Sequence, residues 1–566
     1  MLASLLPTVS RARELTKEPP SSELVIRRRA LDDVPRLEAA LRAEGYYAGK
    51  VEPDVRGFAG DDDDGAAPSD EPRTVLVAFR IDPGPLYRQG VLRIEADGGG
   101  VFRPPRPDEL GLKTGEPARA QAVLDAEREL LRRARKAGHA LAKPGRRSTV
   151  VDGETRTMDV TLRLEPGPKA RFGEVAFRGA EGVVAEGFLR GRLTFGPGDA
   201  YDPDRVEAAR RDLLDTNLFG TVVVREAQAL AADGSLPVTV ELSPRAARSV
   251  GVSGGFQTDS GPSARLFWEH RNLLGAGERL RADAELRLDL QRLGLDLRKP
   301  DFLRRGQALV GEAEARSEET EAYETTSASA GVGVERPLAK GVVGGLGLSY
   351  RYAVITEADE PETEFALLSV PARLDWDFSD DPLNPGRGGK LALSTAPYLD
   401  TLDPSRQFLK SRLTHSRYLR LLEQPRLVLA LRGSAGSAVG VSREEIPADE
   451  RFYAGGGGSV RGVPYQLAGP LDEDDDPLGG RSLLEVGAEI RYNFTDSLGA
   501  VLFLDGGTVY SSAYPDFSEE ILWGAGPGLR YYTPIGPLRL DVGVPLRPRE
   551  GVDDLFQLYI SIGQAF

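Results

Sequence analysis

Two different hydrophobic periods divide the chain near residue 246. Before this point, apolar residues recur at helical spacing between short alternating segments, as in 204–217, where Val206, Ala209 and Leu213 share one helix face. After this point the helical period disappears, and segments of about ten residues alternate apolar with polar side chains. The pattern predicts an α+β N-terminal part followed by an all-β C-terminal part.

Residues 277–288 show the C-terminal pattern most clearly, because every second residue is apolar and most residues between are charged. The apolar set is Leu280, Ala282, Ala284, Leu286 and Leu288, and the charged set is Arg281, Asp283, Glu285 and Arg287. One row facing lipid and one facing an aqueous lumen explains this alternation. Sixteen such segments start near residues 248, 262, 278, 290, 306, 322, 341, 365, 387, 406, 425, 481, 498, 521, 536 and 556. An even number of antiparallel strands predicts a closed transmembrane barrel at 246–566.

The connections between these segments support a barrel. Those after even-numbered strands are short, and those after odd-numbered strands are expected to be longer and more polar, with the longest at 440–480. A soluble array of β-sandwiches is the alternative, and it would not require this asymmetry. The first strand carries Gly251, Gly254 and Gly255, and glycine weakens strand pairing. We therefore expect a weak seam where this strand meets the last one, which ends at Phe566.

The N-terminal part contains three α+β repeats, at 1–84, 85–167 and 168–245. The third has an opening strand at 169–178, a helix that begins after Asp202, and two closing strands. The first repeat has no opening strand, and Met1–Pro20 lacks the order of a signal peptide. Either the chain is cytosolic or its sequence begins after an export signal. The unpaired sheet edge favours a missing strand and signal upstream.

Composition narrows the chemistry. A net charge of -15 argues against a general nucleic-acid partner, and the absence of cysteine removes disulfide and thiolate chemistry. Only three histidines occur, far apart in sequence, so no metal or cofactor is expected. Gly251–Gly255 matches a Gly-x-Ser-x-Gly elbow around Ser253, but no helix or nearby histidine accompanies it. The acidic runs 61–64 and 472–476 are interpreted as solvated loops, and no enzyme activity is expected.

One glycine-rich stretch, 451–470, stands apart from the barrel strands. Four consecutive glycines lead into Val460, Arg461 and Gly462, and Tyr465 follows. If the apolar residues of the twelfth strand face lipid, Glu489 points into the lumen, and Asp505 lies on the thirteenth strand. Since a buried arginine needs charged partners, we expect Arg461 to pair with Asp505 or Glu489 and to pin this loop inside the barrel.

The sequence resembles the family of outer-membrane assembly and polypeptide-transport proteins that includes BamA and TamA. The resemblance rests on the Val-Arg-Gly motif at 460–462, on Phe-x-Asp-x-Gly at 503–507, and on the segments 381–387 and 533–537. An aromatic residue is expected at 463, where this chain has Val463, and Tyr465 is a candidate replacement. Three repeats are more similar to the TamA type, whereas BamA has five.

The resemblance implies periplasmic POTRA repeats, a sixteen-stranded outer-membrane barrel and an inward-folded sixth external loop. It further implies unfolded outer-membrane clients such as autotransporters, a lateral seam between the first and last strands, contact with outer-membrane lipid, and a TamB-like, inner-membrane-anchored partner at the first repeat. Alternatives are a BamA-like general insertase, a polypeptide-secretion pore, an envelope lipid-transport component, a passive porin and a barrel-borne lipase.

Overall fold

The computed structural model describes residues 2–14, 23–56, 76–97, 102–258, 261–357, 361–533 and 536–562. No helix in these ranges is long and apolar enough to cross a membrane. The acidic run 61–64 and Phe566 lie outside the described residues.

The first repeat is rich in helix. It contains α1 (Leu2–Val9), α2 (Arg11–Glu14) and α3 (Glu23–Ala43), followed by β1 (Lys50–Arg56) and β2 (Leu76–Asp82). β1 and β2 pair antiparallel, and Val51 of β1 is buried in one cluster with Leu37 and Leu41 of α3. α3 is 21 residues long, about six turns, and is the longest helix among the described residues.

The second and third repeats share one plan. The second has β3 (Arg88–Ala96), α4 (Ala120–Lys136), β4 (Lys143–Pro144), β5 (Ser148–Asp152) and β6 (Thr157–Glu165). The third has β7 (Arg171–Arg178), α5 (Glu186–Arg192), α6 (Pro203–Asp215), β8 (Phe219–Glu226) and β9 (Ser235–Pro244). In each, the opening strand pairs parallel with the closing strand, β3 with β6 and β7 with β9. Both ladders shift register near the start of the opening strand, which is a structural sign of internal repetition.

The predicted repeat boundaries remain sequence-based assignments. By contacts the chain forms two compact units, and Ala180–Gly191 and Thr216–Gly220 group with Pro244–Phe566 rather than with the rest of the third repeat. Within this second unit the N–H of Ala185 donates to the carbonyl of Gly275 at 2.7 Å. Two segments of the predicted third repeat therefore belong by their contacts to the second unit.

The C-terminal part is a closed antiparallel barrel. Its strands are β10 (Arg248–Gln257), β11 (Gly261–His270), β12 (Arg279–Leu286), β13 (Leu290–Lys299), β14 (Ala308–Glu319), β15 (Glu324–Ala339), β16 (Val342–Thr356), β17 (Thr363–Ser369), β18 (Ala372–Asp377), β19 (Gly388–Asp400), β20 (Gln407–Leu422), β21 (Leu427–Val439), β22 (Ser482–Asn493), β23 (Leu498–Tyr510), β24 (Leu522–Thr533), β25 (Gly536–Pro545) and β26 (Gln557–Ile562). β17 and β18 both pair with β16 and β19, so they form one interrupted strand, the eighth of sixteen. The predicted fold class is confirmed, and each strand starts within two residues of its predicted position.

The alternation of side chains follows the prediction. On the twelfth strand Glu485, Glu489 and Arg491 are buried, while Val486 and Ile490 between them are more than 40% exposed. Charged side chains therefore face the interior of this wall, and apolar side chains face outward to where lipid lies.

The expected asymmetry of the connections is only half correct. In the second half of the barrel, connections 440–481, 511–521 and 546–556 after odd-numbered strands are long. In the first half, connections 258–260, 287–289 and 320–323 are as short as most on the opposite end. The sequence pattern missed this because short polar turns at either end have the same composition.

Candidate functional site

The loop between the eleventh and twelfth strands packs as a core, not as a solvated surface loop. Within it, Phe452, Ala454, Val460, Val463 and Ala468 are almost fully buried. They form one apolar cluster with residues of the neighbouring strands, namely Phe408, Ala438, Leu483 and Val509. Because apolar burial of this extent fixes a backbone, the loop is a defined element of the barrel.

Position 463, where an aromatic residue was expected, is occupied by a well-packed valine. Val463 is 1% exposed within the apolar cluster. Tyr465 does not belong to this cluster. Its ring centroid lies 5.8 Å from the guanidinium of Arg287, which directly follows the third strand. Tyr465 therefore does not replace the missing ring but contacts a different part of the barrel interior.

The loop tip lies directly on the barrel wall. Gly462 has φ +98°, and a Cβ at this residue would lie 2.7 Å from the carbonyl carbon of Val544 on the fifteenth strand. A Cβ on Gly543 of the same strand would lie 2.7 Å from the nitrogen of Gly462. Backbone therefore meets backbone here, and only glycine permits both the conformation and the approach.

Arg461, the residue before this contact, is 2% exposed and holds three carboxylates. Its Nε and Nη2 donate to the two oxygens of Asp505 at 2.6 and 3.0 Å. Its Nη1 donates to Glu489 at 2.7 Å and to Asp541 at 3.0 Å. The guanidinium also lies 3.7 Å from the ring centroid of Phe503. The structure thus brings Arg461 against both partners that the sequence predicted, with Asp505 in the two-pronged geometry that makes such pairs strong.

Four further residues belong to this buried network, and of these only Arg491 was expected from the sequence to face the lumen. Asp541 and Arg539 lie on the fifteenth strand, Arg530 on the fourteenth and Arg491 on the twelfth. Arg491 pairs with Glu489 at 2.7 Å, Arg530 pairs with Asp541, and Arg539 lies 3.5 Å from Asp541. A signal was present, since Arg539 and Asp541 alternate with Leu538, Leu540 and Val542, the pattern that identified Glu489.

The base of the loop is held on the opposite wall. Arg451 makes two hydrogen bonds to Glu357, at 2.6 and 2.8 Å. Asp449 pairs with Arg351 of the seventh strand, and Glu450 pairs with Lys410 of the tenth at 2.9 Å. The loop therefore crosses the lumen and contacts both walls. We call Arg451–Pro470 the clasp.

The seam between the first and last strands is short in the described residues. Only Phe256 with Ile560 and Gln257 with Tyr559 pair across it, whereas the first and second strands form ten pairs. Thr258 adds a hydrogen bond from its N–H to the carbonyl of Leu558 at 3.1 Å. Gly251 and Gly254 make no seam pair in the described part of the chain, and Gly255 approaches Ile560 without pairing to it.

Gly251 has a packing role that the sequence did not reveal. A Cβ at this position would overlap the ring of Phe267 on the second strand. On the lumen side, the guanidinium of Arg281 lies 4.4 Å from the centroid of that ring. Gly251 therefore leaves space for the stacked pair of Phe267 and Arg281, in addition to weakening the pairing of its own strand.

The clasp and the seam meet at one residue. Tyr559 lies on the last strand, is fully buried, and its backbone forms one of the two seam pairs. The N–H of Gly462 donates to its hydroxyl at 3.1 Å. Tyr559 therefore contacts the clasp with its side chain and the first strand with its backbone.

The Gly-x-Ser-x-Gly motif lies on a barrel strand. Ser253 lies in the first strand, pairs with Arg265 and is followed by another strand. No group of three or more metal-ligating side chains occurs in the ranges that the structure describes.

The fold and the lumenal network define an outer-membrane β-barrel protein whose N-terminal repeats lie in the periplasm. The Omp85 superfamily domain matches residues 272–566, and the chain belongs to that superfamily. It is 22% identical over 550 residues to the outer membrane protein assembly factor BamA of Neisseria meningitidis, covering 87% of this chain and 68% of that protein.

Two solved structures share the fold. BamA from Haemophilus ducreyi lacking POTRA domains 1–3 matches with a TM-score of 0.74 at 18% identity, covering 84% of this chain and all of that chain. CdiB from Acinetobacter baumannii matches with a TM-score of 0.51 at 14% identity, covering 84% and 90%. Membership of the wider family is confirmed, and the closer resemblance to TamA stays a prediction.

Proposed function

We propose that the protein is an outer-membrane assembly or translocation factor of the TamA type, which inserts or secretes clients such as autotransporters. The observation that carries this proposal is the short seam and its contact with the clasp. Among the described residues the seam has two backbone pairs, and two pairs open at a far lower cost than the ten between the first and second strands. Opening exposes an unpaired strand edge, which is a template for an incoming client strand.

The periplasmic repeats would receive the client or a partner before it reaches the barrel. β8 pairs with one neighbouring strand only in the described sheets, so it has an edge suited to strand addition. β3 and β7 are also edge strands, but loop residues already bond to their first residues. The first repeat is the proposed docking site for a TamB-like protein. No nucleotide or cofactor is invoked, and folding of the client supplies the driving force.

Locking the seam tests this mechanism. The chain has no cysteine, so Phe256→Cys with Ile560→Cys introduces a single pair on directly opposed residues. We expect the oxidised protein to stay inserted but to lose client assembly, and reduction to restore it. A matched pair, Ala313→Cys with Ala330→Cys between the fifth and sixth strands, should leave assembly unchanged. Full activity of the locked seam would refute lateral opening.

A BamA-like general insertase is the second candidate, and the BamA relatives favour it directly. Reconstitution with two different clients distinguishes the two candidate functions. The TamA-type proposal expects that an autotransporter is assembled and that a simple porin-type barrel is not assembled. Equal assembly of both clients would favour the insertase. A secretion pore would release its client into the external medium, and a lipid-transport component would move labelled phospholipid without any client.

We further propose that the protein is not an enzyme. Ser253→Ala should leave any esterase activity of the purified protein unchanged, because Ser253 lies in a barrel strand. A passive porin is disfavoured by the clasp inside the lumen, and single-channel recordings should show no steady open conductance.

A further inference from the structure

A second polar site lies in the lumen, away from the clasp contacts of Arg461. It is a cavity of about 620 Å³ on the inner wall of the second to eighth strands. This volume is within the range of small-molecule sites. In this lining, charged side chains adjoin glycine backbone at Gly331, Gly333 and Gly347.

One row of this wall has surplus positive charge. Arg279 and Arg298 are directly opposed on the third and fourth strands. Arg298 pairs with Glu335, and Arg373 of the eighth strand pairs with the other oxygen of the same carboxylate. Arg279 makes no ion pair or hydrogen bond through its side chain in the described part of the chain. Arg373 also lies 3.9 Å from Asp375, so three guanidiniums face two carboxylates here. Opposed like charges are unfavourable unless an anion lies between them.

The adjacent row has the opposite surplus. Asp296, two residues from Arg298, is directly opposed to Glu312 on the fifth strand. Arg281 is the register neighbour of Asp296, but its guanidinium lies over the ring of Phe267. Neither Asp296 nor Glu312 forms an ion pair among the described residues. The two rows are about 7 Å apart, because two residues of a strand span that distance.

Glycine keeps the space in front of both rows open. A Cβ at Gly331 would lie 2.9 Å from the carboxylate of Glu312, and one at Gly345 would lie 2.9 Å from the side chain of Arg373. Long charged side chains can therefore lie flat along the wall rather than fill the cavity.

We propose that this wall binds a small zwitterion in which a phosphate group adjoins an amine, the chemistry of phosphoethanolamine. The phosphate lies between Arg279 and Arg298, where its terminal oxygens accept from Arg279 and from the N–H groups of Arg298 that Glu335 does not bind. The amine donates to Asp296 and Glu312. The ligand is either the headgroup of a lipid or a free phosphate ester.

Calorimetric titration of phosphoethanolamine into the protein in a phosphate-free maltoside detergent tests this site. We expect saturable one-to-one binding, weaker binding of inorganic phosphate, and at least about ten-fold weaker binding after Arg279→Gln. Asp296→Asn should remove the preference for phosphoethanolamine over inorganic phosphate. Arg265→Gln is the matched control, since Arg265 lines the same cavity but is paired with Glu285.

The diester glycerophosphoethanolamine distinguishes the two sources. Binding as tight as that of the monoester assigns the site to a lipid headgroup, and binding of the monoester alone assigns it to a free ester. Absence of saturable binding, equal affinity for inorganic phosphate, or an unchanged Arg279→Gln variant would overturn the proposal.

Discussion

Removing one hydroxyl at the meeting point of clasp and seam should loosen the seam. In Tyr559→Phe the ring and the backbone pair with Gln257 remain, but the buried N–H of Gly462 loses its acceptor. An unsatisfied buried donor costs about 1–3 kcal/mol. The penalty applies to the closed state, because an opened seam lets water reach this N–H. The open population should therefore rise by roughly 5- to 150-fold.

Hydrogen exchange at the seam measures this rise directly. The N–H of Thr258 bonds to Leu558 at 3.1 Å, and the N–H of Leu558 bonds to the Thr258 hydroxyl at 3.0 Å. Both bonds cross the seam, so their exchange rates follow its opening equilibrium. We expect exchange of these two amides to accelerate by the same factor, while amides of the ninth and tenth strands stay protected.

Tyr531→Phe is the matched control, because Tyr531 is also a barrel tyrosine but its side chain is half exposed on the outer face. Unchanged exchange at Thr258 and Leu558 in Tyr559→Phe would show that the clasp does not hold the seam. Acceleration throughout the barrel would show a general loss of stability, and this too would refute the specific coupling.

Three further predictions concern the clasp and the repeats. Arg461→Ala should leave the barrel inserted but lower client assembly in reconstituted vesicles, and wild-type assembly by this variant would contradict the role of the clasp. Arg461→Lys should keep only part of the assembly activity, because an ammonium group cannot make the two-pronged contact with Asp505. Gly462→Ala should free the loop tip, since the added Cβ meets the backbone of Val544, and should expose 440–481 to protease, whereas Gly551→Ala, in a loop with open space around it, should not. Arg135→Ala should destabilise the N-terminal unit by about 1–3 kcal/mol in urea titrations, because Arg135 donates to Tyr201 at 2.8 Å and pairs with Glu226; an unchanged midpoint would show that the contact is not stabilising.

The barrel strands were predictable because a wall between lipid and water requires apolar and polar side chains to alternate along each strand. Their start points and their inward faces follow from that period alone. Asp505 and Glu489 were predictable for the same reason, since each is a charged residue on the lumen-facing row of a neighbouring strand.

The rest of the site depends on information that the period does not contain. Nothing local distinguishes Asp541 from other lumenal carboxylates, because its contact with Arg461 joins residues 80 positions apart. The role of Tyr559 depends on where the loop tip lies, which is set by backbone contact with Gly543 and Val544. The close packing of Val463 likewise depends on the volume left by its neighbours, and this volume cannot be predicted from the residue type at one motif position.

The proposed opening of the seam requires Arg461 to leave the lumenal wall, and the charges of that wall limit the cost. Without Arg461, the wall still has three guanidiniums, on Arg491, Arg530 and Arg539, facing the carboxylates of Glu489, Asp505 and Asp541. Glu489 keeps Arg491 and Asp541 keeps Arg530 when the clasp leaves. Only Asp505 loses its sole guanidinium among the described residues, and water entering the vacated lumen can solvate it. Breaking a buried pair usually costs about 3–5 kcal/mol because a charge is left uncompensated. Here that cost is confined to one carboxylate, so the clasp can release Tyr559 and the seam without disrupting the wall that holds it.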